Sequence, residues 1–209
     1  MKEPPRKDSL RITLNATPEQ VVRLVALQQA FALLCNTLAP LVQQNRNWNR
    51  VTLHHLAYRS LRQQFPAIGS QMVCNAIYAV SRTSRVVFQH PDSPFHVSRM
   101  AGKPLPLIHF ADTNPVYFDR HTLSLKAGVM SLYTLDGRMR MKLPLKPADE
   151  SLFHERKLRE VILSRRKDDK FELLFSFMEP DEDEPDERAL PSAQQRGQLP
   201  DYVKVKVEA

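Results

Sequence analysis

Apolar residues recur at Leu24, Leu27, Phe31, Leu34 and Leu38, spaced by three and four, as on one face of an α-helix. The start of that helix is written just upstream. Thr17-Pro18-Glu19-Gln20 offers Thr17 as N-cap, Pro18 at the first helical position and Gln20 three residues on to close a capping box. Pro40 has no N–H to give and is expected to end or kink the helix. After a polar connector at residues 45–50 around the single tryptophan, Trp48, a second helix is predicted from about Thr52. It carries Leu53, Leu56, Leu61 and Phe65 on one face and stops at Pro66. A third runs from about Ser70, striped by Val73, Ile77, Val80 and Val87, and ends before Pro91.

Elsewhere the period drops to two. Leu10-Arg11-Ile12-Thr13-Leu14 alternates apolar and polar positions and reads as a short strand. Residues 91–115 contain five prolines and little periodicity, so a crossover or loop is expected there. Strand-like runs follow at Val116-Tyr117-Phe118, at Leu123-Ser124-Leu125 and over residues 129–135, with Asp136-Gly137 as the strongest hairpin turn. Next, Arg138-Met139-Arg140-Met141-Lys142-Leu143 puts three cations on one face and three apolar groups on the other. Residues 158–163 and 171–178 predict another strand pair around a charged turn, and residues 202–207 alternate as one last strand. The order is one strand, three helices, then strands. Strand edges need partners, so the first strand is expected to pair with later ones, leaving the helices as an insertion into a β-barrel or sheet. The fold class expected is α+β. The predicted divisions are a leader and first strand (1–16), a helical insertion (17–90), a β unit (91–178) and an acidic, Pro-rich tail with a possible terminal strand (179–209).

The chain has 209 residues, 42% of them hydrophobic and 25% charged, which suits a globular protein with its own core. Its longest apolar run, residues 30–35, falls far short of the ~18 residues of a membrane span, so no membrane partner is expected. Residues 1–8 are polar and charged, unlike a secretory signal, and a cytoplasmic location is the expectation. Cys35 and Cys74 form no CxxC and sit in apolar helical contexts, which predicts small buried core residues, no metal site and no cofactor. The adjacent pair His54-His55 lacks the i,i+4 spacing of a helical metal motif, and no nucleophile motif accompanies the seven histidines, so no enzyme is read here.

Charge changes the picture most. Residues 1–178 hold 26 basic against 14 acidic residues, a net +12, whereas residues 179–209 hold 4 against 9, a net −5. Seven acids fall within residues 179–187, a run expected to be solvated or to shield the basic surface. Between Glu19 and Asp92 no carboxylate occurs across 72 positions, yet Arg23, Arg46, Arg50, Arg59, Arg62, Arg82 and Arg85 do. Surfaces ordinarily mix both signs, so helices with seven arginines and no acid lack ion-pair partners of their own and point to an external polyanion. Arginine's planar fork suits phosphate and also stacks on bases, which favours nucleic acid. A basic surface kept for solubility or for an acidic protein is the alternative. Trp48, Tyr58 and Tyr78 are the stacking candidates, although each reads more readily as a core or rim aromatic than as a base platform.

With these residues in this order, the chain resembles the N-terminal half of the TnpB family, RNA-guided nucleases encoded by insertion sequences and related to type V CRISPR effectors. The matching segments span roughly residues 10–178. Residues 11–20 (Arg11 to Gln20) resemble the family's opening strand and helix start. Phe65-Pro66-Ala67-Ile68, followed by a helix ending in Arg85-Val86-Val87-Phe88, is similar to its third helix. Residues 118–125 and 131–138 look like the hairpins of its wedge domain, and residues 170–175 like the last wedge strand. The resemblance implies a wedge-like, oligonucleotide-binding-like antiparallel β-barrel that grips structured guide RNA, with an inserted three-helix recognition bundle lying against the guide–target duplex. It implies nucleic-acid contacts at Arg138, Arg140 and Lys142, and at Arg165, Arg166 and Lys167 by the last hairpin. On the helices it implies Ser70, Gln71 and Asn75 as readers of a short DNA motif, beside Arg46, Arg50, Arg59, Arg62, Arg82 and Arg85, which the charge distribution marks as nucleic-acid contacts.

In that family the wedge leads into a RuvC nuclease domain with clustered acids. Here an acidic, Pro-rich run follows Met178, with 31 residues remaining, and no catalytic residue is assigned. The expected function is therefore a nuclease-free protein that holds a guide-like RNA and helps recognise target DNA. Two alternatives stay open: a non-catalytic subunit whose nuclease is another chain, and a DNA-binding repressor without RNA.

Overall fold

In the computed structural model, which describes residues 9–178 and 199–207, strand β1 (Ser9–Thr13) alternates as its sequence requires, burying Leu10 and Ile12. Helix α1 (Pro18–Asn45) opens with the full capping box. Thr17 Oγ1 accepts from the Gln20 N–H at 3.2 Å, and the Thr17 N–H donates to Gln20 Oε1 at 2.9 Å. Leu24, Leu27, Phe31, Leu34 and Leu38 are all buried along it.

Pro40 does not end α1, which continues to Asn45. Packing overrides the lost hydrogen bond, because Leu38, Ala39 and Val42 on either side of the proline are buried in the core. Among the described residues α1 is the one helix long and apolar enough to cross a membrane, by length and composition only, and half of that stretch is buried inside the protein. The longest unbroken apolar run understates this, because the uncharged Gln28, Gln29, Asn36 and Thr37 interrupt it.

Helix α2 (Arg50–Gln64) starts two residues before expectation, since Asn49 caps it by accepting from the Val51 and Thr52 N–H groups. Leu53 and Leu61 are buried, but Leu56 is 51% exposed and Ala57 takes the core position instead. Helix α3 (Ser70–Gln89) buries its predicted stripe and most of its last three turns.

The segment expected to be loop contains a 3-10 turn (Val97–Met100) and strand β2 (Leu107–Phe110). After it come β3 (Val116–Phe118), β4 (Leu123–Lys126), β5 (Val129–Thr134) and β6 (Gly137–Lys142). An unforeseen helix α4 (Pro147–Glu155) precedes β7 (Leu158–Arg165), β8 (Phe171–Phe177) and β9 (Val203–Lys206).

The molecule is α+β, and its sheets are antiparallel: one in the order β1-β8-β7-β3, a pair β2-β9, and a meander β4-β5-β6. As expected, β1 pairs with a late strand, β8, and the three helices intervene between them in sequence. The closed barrel is not there: among the described residues the strands form three separate sheets. The last strand does not join the large sheet either; β9 pairs with β2, which packs on α1. One continuous hydrophobic cluster runs from Leu10 through the helices to Leu132, Phe175 and Val203. The predicted leader at residues 1–8 and the acidic run at 179–187 lie outside the described residues.

Candidate nucleic-acid interface

The meander β4-β5-β6 is built by strict alternation. Leu123, Leu132 and Met139 face inward in register, as do Met130 and Met141, and all five are buried. The opposite face therefore carries Ser124 and Lys126 from β4, Val129, Ser131 and Tyr133 from β5, and Arg138, Arg140 and Lys142 from β6. Four of these positions are cations and none is a carboxylate. The hairpin between β5 and β6 turns one residue earlier than expected: Thr134 pairs with Gly137, and Gly137 adopts φ +106°, a conformation glycine supplies without a Cβ clash.

Tyr133 lies directly across from Arg138, and the Arg138 guanidinium carbon sits 4.3 Å above the Tyr133 ring centre. The guanidinium is pinned. Nη1 donates to the Ser131 carbonyl and to Ser131 Oγ, both at 3.2 Å, and Nη2 donates to the His121 carbonyl at 3.1 Å. By contrast, the side chains of Lys126, Arg140 and Lys142 make no hydrogen bond or ion pair among the described residues.

Two acids border this face, and both are occupied within the protein. Asp119 accepts from Gln71 Nε2 at 2.7 Å and from Thr122 Oγ1 at 2.9 Å. Asp136 accepts from Arg23 Nε at 2.9 Å and from Thr134 Oγ1 at 2.7 Å, and the Thr134 and Arg23 hydrogen bonds hold its carboxyl below the ordinary aspartate range.

The helical arginines divide sharply. Arg82 is only 5% exposed and donates from Nη1 to both carboxylate oxygens of Glu160, at 2.8 and 3.1 Å. Burial works against its charge, but Tyr117, Glu160 and Tyr78 raise its pKa on balance. Arg82 is thus a core ion pair, which corrects its assignment to a nucleic-acid surface. Asn75 needs the same correction, being buried and donating from Nδ2 to the Tyr117 carbonyl at 3.0 Å. The helices do find internal counter-charges: the strand half supplies Asp136 to Arg23 and Glu160 to Arg82.

Of the rest, Arg46 donates to the Lys103 and Met100 carbonyls at 2.7 and 3.3 Å, Arg62 donates to the Ile68 carbonyl, and Gln71 is held by Asp119. The Arg50 guanidinium lies 5.4 Å from the Tyr78 ring centre. Arg59 and Ser70 are exposed. Arg46 and Arg85 share an open groove of about 590 Å³ with Trp48, Asn49 and His90. Arg165 and Arg166 pair with Asp169 and Asp168, and with Lys167 they line a second groove against Pro115 and Tyr202.

The predicted stacking aromatics pack within the protein. Trp48 lies 5.2 Å from Phe88, Tyr58 stacks on His54 at 4.6 Å, and Tyr78 meets Tyr117 edge-on at 6.2 Å. The exposed ring on the basic face is Tyr133, which sequence reasoning passed over. Alternation alone puts Tyr133 on the same face as Arg138 and Arg140, but the expected Asp136-Gly137 turn would have set Tyr133 opposite Arg140 rather than opposite Arg138, its partner here.

Neither Cys35 nor Cys74 forms a disulfide. Burial pushes the Cys35 thiol far above its usual pKa, while Asn114 Nδ2 points at its sulfur from 3.6 Å. Cys74 is only half-buried, where a core position was expected. Among the described residues no three His, Cys, Asp or Glu side chains converge as metal ligands would.

No protein-family model matches the chain, and no curated protein matches it.

Proposed function

We propose that this protein binds nucleic acid through the outward face of β4-β5-β6, holding a structured, guide-like RNA and with it helping to recognise DNA, without a nuclease site of its own. In this reading the strands form the wedge-like unit of the TnpB resemblance and α1–α3 its recognition part. One observation carries the proposal. An eight-position sheet face holds four cations, no carboxylate and an exposed tyrosine, and the neighbouring acids Asp119 and Asp136 are already engaged. A face with unneutralised charge and a ring suits a phosphodiester chain with bases.

The test is salt dependence. Replacing Arg140 and Lys142 by alanine removes two phosphate partners while sparing the pinned Arg138. RNA binding is expected to weaken, and the slope of log affinity against log salt to fall by about two. An unchanged slope, or purified protein free of ribonuclease-sensitive material absorbing at 260 nm, would count against an RNA-holding sheet; bound material that resists ribonuclease would favour the DNA repressor.

A specific observation favours a second reading, in which the chain is a non-catalytic subunit of a larger complex. Residues 24–45 of α1 carry no charge, and Val22 and Leu33 on its outer side are 68% and 58% exposed. Such a face suits another protein, and a stoichiometric protein co-purifying with the chain would support that assembly.

A further inference from the structure

Arg138 differs from its neighbours on β6 in what its guanidinium is already doing. A phosphate-gripping arginine keeps its N–H fork free, because the two parallel bonds to phosphate are its advantage over lysine. Arg138 has committed that fork to three oxygens of its own chain, two on Ser131 and one on His121. The result is a fixed cationic group over the Tyr133 ring at 4.3 Å, on residues that remain exposed to solvent. Arg140 and Lys142, spaced along the same face, carry no such commitment.

We infer that the Tyr133–Arg138 pair is a stacking platform for one unpaired RNA base, with the backbone phosphates of that strand carried by Arg140 and Lys142. This deepens the proposed function and rests on it. Aromatic rings and guanidinium planes accept a base face irrespective of its sequence, and interior bases of a duplex have both faces already covered. The ligand is therefore a single-stranded loop or bulge in an otherwise folded RNA. The pinning is what makes the platform effective, since an arginine ordered beforehand loses little freedom when a base settles on it.

The test uses the whole chain with two RNAs, a hairpin with 2-aminopurine in its unpaired loop and a blunt duplex of the same stem. The wild-type protein is expected to bind the hairpin more tightly and to quench its fluorescence. Arg138→Lys keeps the charge but loses the plane, so hairpin affinity should fall about tenfold and quenching should vanish, while duplex affinity and salt slope stay put. Tyr133→Leu should behave likewise, and Tyr133→Phe should behave as wild type; circular dichroism confirms that each variant is folded. The inference is overturned if Arg138→Lys binds and quenches like wild type, or if hairpin and duplex weaken equally. Were Arg140 and Lys142 also dispensable for both RNAs, the proposed function would fall too. If they matter and Arg138→Lys does not, only the platform falls.

Discussion

Arg82 carries a full charge into the interface of α3 with β7, and Glu160 is its answer there, with side-chain exposures of 5% and 14%. Taking one partner away leaves the other charge buried and unpaired, which costs about 3–5 kcal/mol in comparable pairs. Glu160→Gln is therefore expected to lower the unfolding free energy by about that amount in urea denaturation. The double change Arg82→Met with Glu160→Leu should cost less than Glu160→Gln alone. A Glu160→Gln protein as stable as wild type would mean that the pair is solvated and that Arg82 is reachable from outside after all. The same pair shows where single residues were legible. The Thr17–Gln20 capping box spans three positions and could be read directly. The partner of Arg82 lies 78 residues away, and no local pattern marks Glu160 as the acid that would reach it. A carboxylate-free stretch of sequence is therefore not a carboxylate-free surface in space.

At the scale of elements, the long helices and most of the short alternating strands declared themselves, whereas α4 and β2 did not. All three long helices and the β5-β6 and β7-β8 hairpins follow from their spacing. Helix α4 buries no residue fully, so it has no strong stripe to read, although Pro147 at its start and Asp149 and Glu150 in its first turn are ordinary N-terminal signals. Leu152 and Phe153 pack it against the core, Phe153 edge-on to Phe175 and Phe177 at 5.0 and 5.3 Å. Strand β2 hides behind two prolines and takes one pair of its backbone hydrogen bonds from a side chain. Asn36 on α1 donates to the Phe110 carbonyl and accepts the Phe110 N–H, both at 2.8 Å. Pro40 in the same helix is the clearest case of packing overruling local preference. Pro40→Ala supplies the missing N–H to the Asn36 carbonyl, so it should stabilise the protein by about 1–3 kcal/mol, read as a higher urea midpoint with an unchanged slope. A neutral or destabilising result would show that the proline ring's own contacts outweigh the restored hydrogen bond.

Across the whole molecule, the +12 of residues 1–178 and the −5 of residues 179–209 are opposite charges on one chain. The chain returns after the acidic run, because β9 is stitched to β2 with Val203 buried and the Ala111 N–H donating to the Tyr202 carbonyl at 2.8 Å. Seven acids between β8 and β9 are thus attached at both ends to the body that carries the basic sheet face, which keeps their effective concentration near it high. An RNA that binds must displace whatever share of that negative charge occupies the basic face. Replacing the seven acids of residues 179–187 by serine should therefore tighten binding to a random duplex several-fold and steepen its salt dependence, because more cations are then left for phosphate. Binding to the loop-bearing hairpin should tighten by a smaller factor, since stacking on Tyr133 and Arg138 does not compete with carboxylates for charge. If affinity and slope stay at wild-type values for both RNAs, the acids do not screen the sheet.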